Sequence, residues 1–268
     1  MTARAASDAP TLACSGLDCG VAGTVVLRGV DLVVEPGSRT AIVGINGAGK
    51  STLLRALAGL TSPYAGSVSL DGADLADVPA RLRARSIAFV GQEEMPPMEL
   101  RVAEMVALGR VPHHAPWRIG DEDRDAVVAD ALRRVGLADY ADRRCHQLSG
   151  GERRRLVLAR GLAQGAPILA LDEPANHLDV AWQLRLLALL GDHRGTVLAS
   201  MHDLDLVMRH FDQVAVVGHG RLLAAGPPAQ TLTPALLRDA FGVDCAALAD
   251  PVTGRPHLLI RGVAAPTP

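Results

Sequence analysis

"RTAIVGINGAGKSTLLRALAGL", residues 39–60, runs from an apolar segment through a glycine-rich turn into leucines at helical spacing. The first part is short, apolar and ends in glycine, the pattern of a strand. The last part starts a helix at Lys50, sets Leu53, Leu54, Leu57 and Leu60 on one side, and closes at Gly59 and "TSP". Between them "GINGAGKS" (44–51) fits G-x-x-x-x-G-K-[ST]. Glycines at a strand-to-helix turn let backbone N–H groups curl around phosphate oxygens, where the helix dipole favours negative charge. Gly44, Asn46, Gly47, Ala48, Gly49, Lys50, Ser51 and Thr52 are therefore candidate phosphate-binding residues. Lys50 reaches the β and γ oxygens, and Ser51 offers its hydroxyl to Mg²⁺.

Working outward, "VVLRGVDLVV" (25–34) alternates and reads as a strand, as does "SVSLDG" (67–72). The residues before it read as a frayed start. Residues 93–147 have a different texture, with "VPHHAPW" (111–117) and then a helical run from Asp121 to Val135 ended by Gly136, so they are expected to form a mainly helical insertion. A helix from Gly151 to about Ala163, the apolar strand "PILALDEP" (167–174), a helix near Ala181 to Leu190, and the strands "TVLASMH" (196–202) and "QVAVVG" (213–218) follow. Strands alternating with helices predict an α/β fold with a largely parallel sheet.

The chain has 268 residues, 49% hydrophobic and 21% charged, enough for one large globular domain or two closely joined ones. A net charge of -2 gives no basic excess to hold a nucleic-acid backbone, so nucleic acid is not an expected partner. Cys14, Cys19, Cys145 and Cys245 form no CxxC pair and read as reduced, cytosolic thiols. The first ten residues carry no apolar signal region, and no apolar run reaches the ~18 residues of a membrane span.

In "ILALDEP", Asp172 falls at the carboxyl end of a strand apolar enough to be buried on both faces, where ligands sit in open α/β sheets. It is a candidate Mg²⁺ ligand, and Glu173, pointing to the other side of the strand end, is a candidate base for a water in line with the γ-phosphate. In "LSGGERRRLVLAR" (148–160), Ser149 and Glu152 spell a capping box. The box does not explain Gly150 and Gly151, because glycine weakens a helix unless something must approach its backbone. An anion at a helix N-terminus needs such an opening.

At this point the chain resembles the ATP-binding cassette (ABC) ATPases over about residues 11–262: "LSGGE" looks like their signature, with the P-loop before it and "LALDEP" after it. The resemblance implies a P-loop NTPase fold with a mainly parallel core sheet, an N-terminal antiparallel β subdomain and a helical insertion subdomain at about 93–147, flanked by disordered ends at 1–10 and 263–268. It implies ATP and Mg²⁺ as cofactors, and a homodimer in which Ser149, Gly150 and Gly151 of one subunit complete the ATP site of the other. Gln92 in "FVGQEE" resembles the Q-loop glutamine that senses Mg²⁺, Asp179 in "NHLD" the D-loop aspartate at the dimer interface, and His202 in "SMHD" the switch histidine that contacts the γ-phosphate. Arg153, Arg154 and Arg155 are expected to support the helix surface. Three positions depart from the family pattern: Val21 stands where an adenine-stacking aromatic is usual, Ile45 replaces a frequent proline, and Glu152 replaces a frequent glutamine.

The segments "LRVAEMVALGRVPH" (100–113), "DEDRDAVVADALRRVGLADYADR" (121–143) and "DPVTGRPHLLI" (250–260) are similar to those of ATPases serving ferric-siderophore, haem and cobalamin importers. That resemblance implies a subunit on the cytoplasmic face of the membrane, docked through residues from Gln92 to about Pro116 beneath two multi-span permease subunits. An extracytoplasmic substrate-binding protein would take part indirectly. The expected cargo is a ferric siderophore first, haem or cobalamin next. The alternatives are an ATPase of another ABC transporter, for metal ions or efflux, and a soluble ABC ATPase with no transport role. His113 and His114, adjacent in a Pro-rich loop, are expected to be exposed rather than metal-binding.

Overall fold

The computed structural model describes residues 9–92, 97–113, 122–176, 178–252, 254 and 256–264. In chain order its elements are β1 (Leu12–Val21), β2 (Thr24–Val34), β3 (Arg39–Val43), α1 (Lys50–Leu57), β4 (Ala65–Leu70), β5 (Ala73–Asp74), α2 (Ala80–Ser86), β6 (Ile87–Val90), α3 (Val102–Ala107), α4 (Glu122–Arg134), α5 (Gly150–Gln164), β7 (Ile168–Leu171), α6 (Val180–Gly191), β8 (Thr196–Met201), α7 (Leu204–His210), β9 (Gln213–Gly218), β10 (Arg221–Gly226), α8 (Pro228–Thr231), α9 (Pro234–Phe241), β11 (Val243–Ala249) and β12 (Pro256–Val263). Among the described residues no helix is long and apolar enough to cross a membrane.

The central sheet has the order β10-β9-β3-β8-β7-β6, parallel except where β10 returns along β9. Side chains alternate between its faces with the period of two that a pleated strand imposes. Ile42, Ala170, Leu198 and Ala215 pack on the α1 side with the antiparallel sheet β2-β1-β4-β5. Val43, Leu171, Ala199 and Val216 pack on the opposite side with α3, α4, α5 and α6. Both faces are covered, so β7, apolar throughout, and β8, apolar apart from Thr196 and Ser200, are buried along their whole length.

Leu53, Leu54 and Leu57 are fully buried, each contributing about 1.5–3 kcal/mol of hydrophobic stabilisation. Leu60 corrects the expectation: α1 ends at Leu57, Gly59 turns to φ 67°, and Leu60 swings out to 57% exposure. The frayed start is also corrected, because β1 is a full strand between β2 and β4. Its buried residues Leu12, Cys14, Leu17 and Cys19 lose strict alternation at Gly16 (φ 54°), where the register slips against both neighbours. All four cysteines are free and buried, and burial pushes the Cys14 thiol up to about 12 and the Cys19 thiol up to about 11.

Between Gln92 and Leu148, α3 and α4 pack on α5, and Val102 N–H donates to the Arg143 carbonyl (2.9 Å) where the segment closes on itself. His113 is half-buried rather than exposed, its Nε2 2.7 Å from the Gln164 carbonyl; His114 lies outside the described residues. At the ends, order begins before residue 11, since Ala9 is buried, and Val263 pairs with Val243 inside the expected tail. Residues 1–8 and 265–268 lie outside the described residues.

Candidate functional site

Four adjacent parallel strands end close together, β3 and β8 level with each other and two residues beyond the level at which β7 and β6 end. The register pairs Val43 with Met201, Ala199 with Leu171, and Leu171 with Val90. The residues that follow those strand ends, Gly44, His202, Asp172 and Gln92, are thereby gathered at the carboxyl edge of the sheet. That edge is where an open α/β sheet presents its ligand crevice. A cleft of ≈ 660 Å³ opens there, lined by Val26, Asn46, Gly47, Gly49, Lys50, Ser51, Thr52, Gln92, Glu173, Asn176 and His202.

Glycine is required at two turn positions. A Cβ on Gly44 would meet the Val217 carbonyl oxygen at 2.4 Å, and Gly49, the N-cap of α1, sits at φ 97° against Val26 and Leu27. With no side-chain cap and no acidic residue in its first turn, α1 leaves its N-terminal donors free for an anion. Lys50 is buried (4% exposed), its Nζ donating to the carbonyls of Gly44 (3.0 Å) and Ile45 (3.2 Å). Burial lowers its pKa, and the carboxylates of Glu173 and Asp172 oppose that shift.

Asp172 is buried, and its Oδ1 accepts from Ser51 Oγ at 2.7 Å. Glu173 sits beside it with φ 49°, a left-handed conformation that is strained for a residue with a side chain. Its two carboxylate oxygens are both engaged, Oε1 by His202 Nε2 and Oε2 by the side-chain amide of Asn176. Two residues that the sequence reading passed over belong to this cluster. Asn176 is one; the other is Ser200, fully buried in β8, which contacts both Asp172 and Glu173. Ser200 lies two residues before His202, and a polar residue inside an otherwise apolar strand was its only sequence signal.

The other expected residues lie apart from this cleft's lining. Ser149 caps α5, accepting from Glu152 N–H (3.3 Å), while Glu152 Oε2 accepts from Ser149 N–H (2.7 Å). The Ser149 hydroxyl, which also donates to Oε2 (2.7 Å), and then the Ser149 N–H hold the Glu152 carboxyl below its usual range. A Cβ built on Gly150 or Gly151 meets nothing within 4 Å, so packing among the described residues does not require glycine at either position. Asp179 caps α6 by accepting from Trp182 N–H (2.8 Å). The three arginines brace the helix: Arg153 reaches the His146 carbonyl (3.2 Å), Arg154 the Asn176 carbonyl, and Arg155 the Val135 carbonyl (3.2 Å) while stacking on Trp182 at 4.7 Å. Val21 is 57% exposed beside the β1–β2 turn.

Residues 27–176 match the family model described as ABC transporter. The chain belongs to the ABC transporter family. It is 44% identical over 248 residues to the cobalamin import ATP-binding protein BtuD of Halobacterium salinarum, covering 91% of this chain and 62% of that protein. Against the hemin import ATP-binding protein HmuV of Gloeobacter violaceus it is 40% identical over 263 residues, covering 94% and 95%. Against the iron(3+)-hydroxamate import ATP-binding protein FhuC of Bacillus subtilis it is 34% identical over 254 residues, covering 93% and 94%. Among solved structures, the dimeric post-hydrolysis state of the ATP-binding cassette MJ0796 bound to ADP and Pi is similar with a TM-score of 0.73 and 26% identity, covering 81% of this chain and 98% of that one. The ABC ATPase fold expected from the sequence is the fold observed, with its antiparallel sheet and helical layer on opposite faces of the core sheet.

Proposed function

We propose that this chain is the ATP-binding and hydrolysing subunit of an importer of metal chelates, acting as a homodimer on the cytoplasmic face of the membrane beneath two multi-span permease subunits. The observation that carries the reading is the placement of Glu173, its carboxylate held between His202 and Asn176, beside the Ser51–Asp172 pair and in the same cleft as Lys50. Lys50 and the uncapped start of α1 bind the phosphates. Glu173 takes a proton from the attacking water as its oxygen bonds the γ-phosphorus and the bond to the bridging oxygen breaks, releasing ADP and phosphate. His202 orients that carboxylate through Nε2.

The residues fit Mg²⁺: a hydroxyl and a carboxylate oxygen 2.7 Å apart, with the Gln92 amide lining the same cleft, make the hard oxygen donor set such an ion prefers. Ser51, Asp172 and Gln92 would hold it, and when bound it neutralises charge on the phosphate oxygens. The open space over Gly150 and Gly151 supports a site completed by a second copy, whose ATP those glycines would approach through Ser149, Gly150 and Gly151, with Asp179 at the interface. Cargo would be chosen by the permease and an extracytoplasmic binding protein. Ferric siderophore is the first cargo on the sequence resemblance, with haem or cobalamin next; of these two, the 44% identity to a cobalamin import protein favours cobalamin as the second reading.

Fractionation tests the transport reading against a soluble ATPase. The tagged chain is expected with the membranes when its permease is present and in the supernatant when the permease genes are deleted. Equal partition in both strains would sink the importer assignment.

A further inference from the structure

Ser200 is fully buried near the end of β8, and its hydroxyl lies between the two acidic residues of the cleft. Oγ is 2.7 Å from the Glu173 backbone nitrogen and 2.8 Å from Asp172 Oδ1. The directions of both bonds follow from chemistry. A backbone N–H can only donate and an ionised carboxylate can only accept, so Ser200 accepts from Glu173 and gives its single proton to Asp172. Asp172 Oδ1 therefore receives two hydroxyl protons, from Ser200 and from Ser51 at 2.7 Å.

The clamp falls where the backbone is under strain. Beyond Leu171, Asp172 N–H still bonds the Val90 carbonyl at 2.9 Å, which continues the pairing of β7 with β6. One residue later Glu173 leaves the strand at φ 49°, and its N–H is taken by a side chain of β8 instead of by a strand backbone. A left-handed residue with a side chain persists only where its surroundings over-determine it. On the far side of the same residue, Asn176 N–H donates to the Glu173 carbonyl at 3.2 Å, so the strained peptide is gripped from both ends.

We propose that Ser200 is a positioning residue that locks the Asp172–Glu173 peptide, fixing at once the carboxylate beside Ser51 and the direction in which Glu173 points. Ser200 acts through its two neighbours. This role rests on the hydrolytic reading of the cleft and adds to it a residue outside the cleft's lining.

The test uses the full chain with Ser200→Ala, Ser200→Cys and Ser200→Thr. In nucleotide-free protein without Mg²⁺, amide hydrogen exchange at Glu173 is expected to quicken at least about tenfold in the Ala variant and to stay slow in the Thr variant, which keeps a hydroxyl. In ATP hydrolysis the Ala variant should lose about 10- to 100-fold in kcat while KM for ATP moves by less than about twofold, the split expected when positioning rather than binding is lost. In the Glu173→Gln background, Ser200→Ala should lower hydrolysis by much less than it does alone, since the part of its effect that runs through Glu173 is already lost. Unchanged exchange and turnover in a folded Ala variant would overturn the role, as would additive losses in the double variant. Should Ser200→Ala fail to fold, Ser200→Cys decides on the same criteria, its weak hydrogen bonding predicting faster exchange and lower kcat and a wild-type result contradicting the clamp. If wild-type chain hydrolyses no ATP, the hydrolytic reading falls and the catalytic role of Ser200 with it; if wild type is active and Ser200→Ala equally so, only Ser200 is refuted.

Discussion

Glu173→Gln separates catalysis from binding, and the geometry sets its size. Glutamine keeps the side-chain length and one carbonyl oxygen. Asn176 needs an acceptor opposite its amide, so the new oxygen turns to Asn176 and the new NH₂ faces His202 Nε2, which accepts in the Nδ1–H tautomer. The N–H bond from residue 173 to Ser200 involves backbone and is kept. Exchanging one satisfied hydrogen bond for another costs at most about 1 kcal/mol of stability. Removing a negative charge from a cleft that binds phosphate adds no repulsion, so ATP affinity should not fall. An amide cannot take the proton of the attacking water, and loss of a general base costs ~10² to 10⁴ in rate. At ~1.36 kcal/mol per tenfold, that is a barrier higher by roughly 2.7–5.4 kcal/mol. Phosphate release at saturating Mg-ATP and equilibrium nucleotide binding, on one preparation, read both effects. Turnover within about threefold of wild type in a folded variant that binds ATP would refute Glu173 as the base.

Gly151→Asp meets open space in the single chain and adds an acidic group to the first turn of α5, so folding should be unharmed or favoured by about 0.3–1 kcal/mol through the helix dipole. ATP-dependent dimerisation is expected to be lost, because the carboxylate would face the partner's γ-phosphate; dimers at normal ATP concentration by light scattering would reject the shared site. Val21→Tyr places a ring at an exposed position beside the β1–β2 turn and is expected to tighten ATP binding, with base stacking worth ~1–3 kcal/mol as the upper scale. An unchanged Kd by calorimetry would mean that adenine does not lie over Val21.

The parts of the site that were legible in sequence are those written in contiguous residues. The strand, glycine turn and helix at 39–57 are such a case, and so is the apolar run that ends at Asp172 and Glu173. Ser200 was not legible, because its role depends on β7 lying beside β8, and strand order is not carried by local pattern; Asn176 reaches Glu173 from only three residues away, through a turn whose side-chain directions the sequence pattern does not give. β1 was missed for a local reason, since the positive φ at Gly16 breaks the alternation by which a strand is recognised. Leu60 was misplaced because helical spacing continues in the sequence past the residue where Gly59 ends the helix. Gly150 and Gly151 stay unexplained by packing among the described residues, since a Cβ at either meets nothing within 4 Å.

Uptake is the most direct measurement of the central claim. Cells whose only copy of this chain is wild type or Glu173→Gln would be given labelled ferric siderophore, haem and cobalamin, with the amount of folded chain checked in each. Selective loss of one chelate in the variant is the expected result and names the cargo. Equal entry of all three in variant and wild type would contradict metal-chelate import by this ATPase.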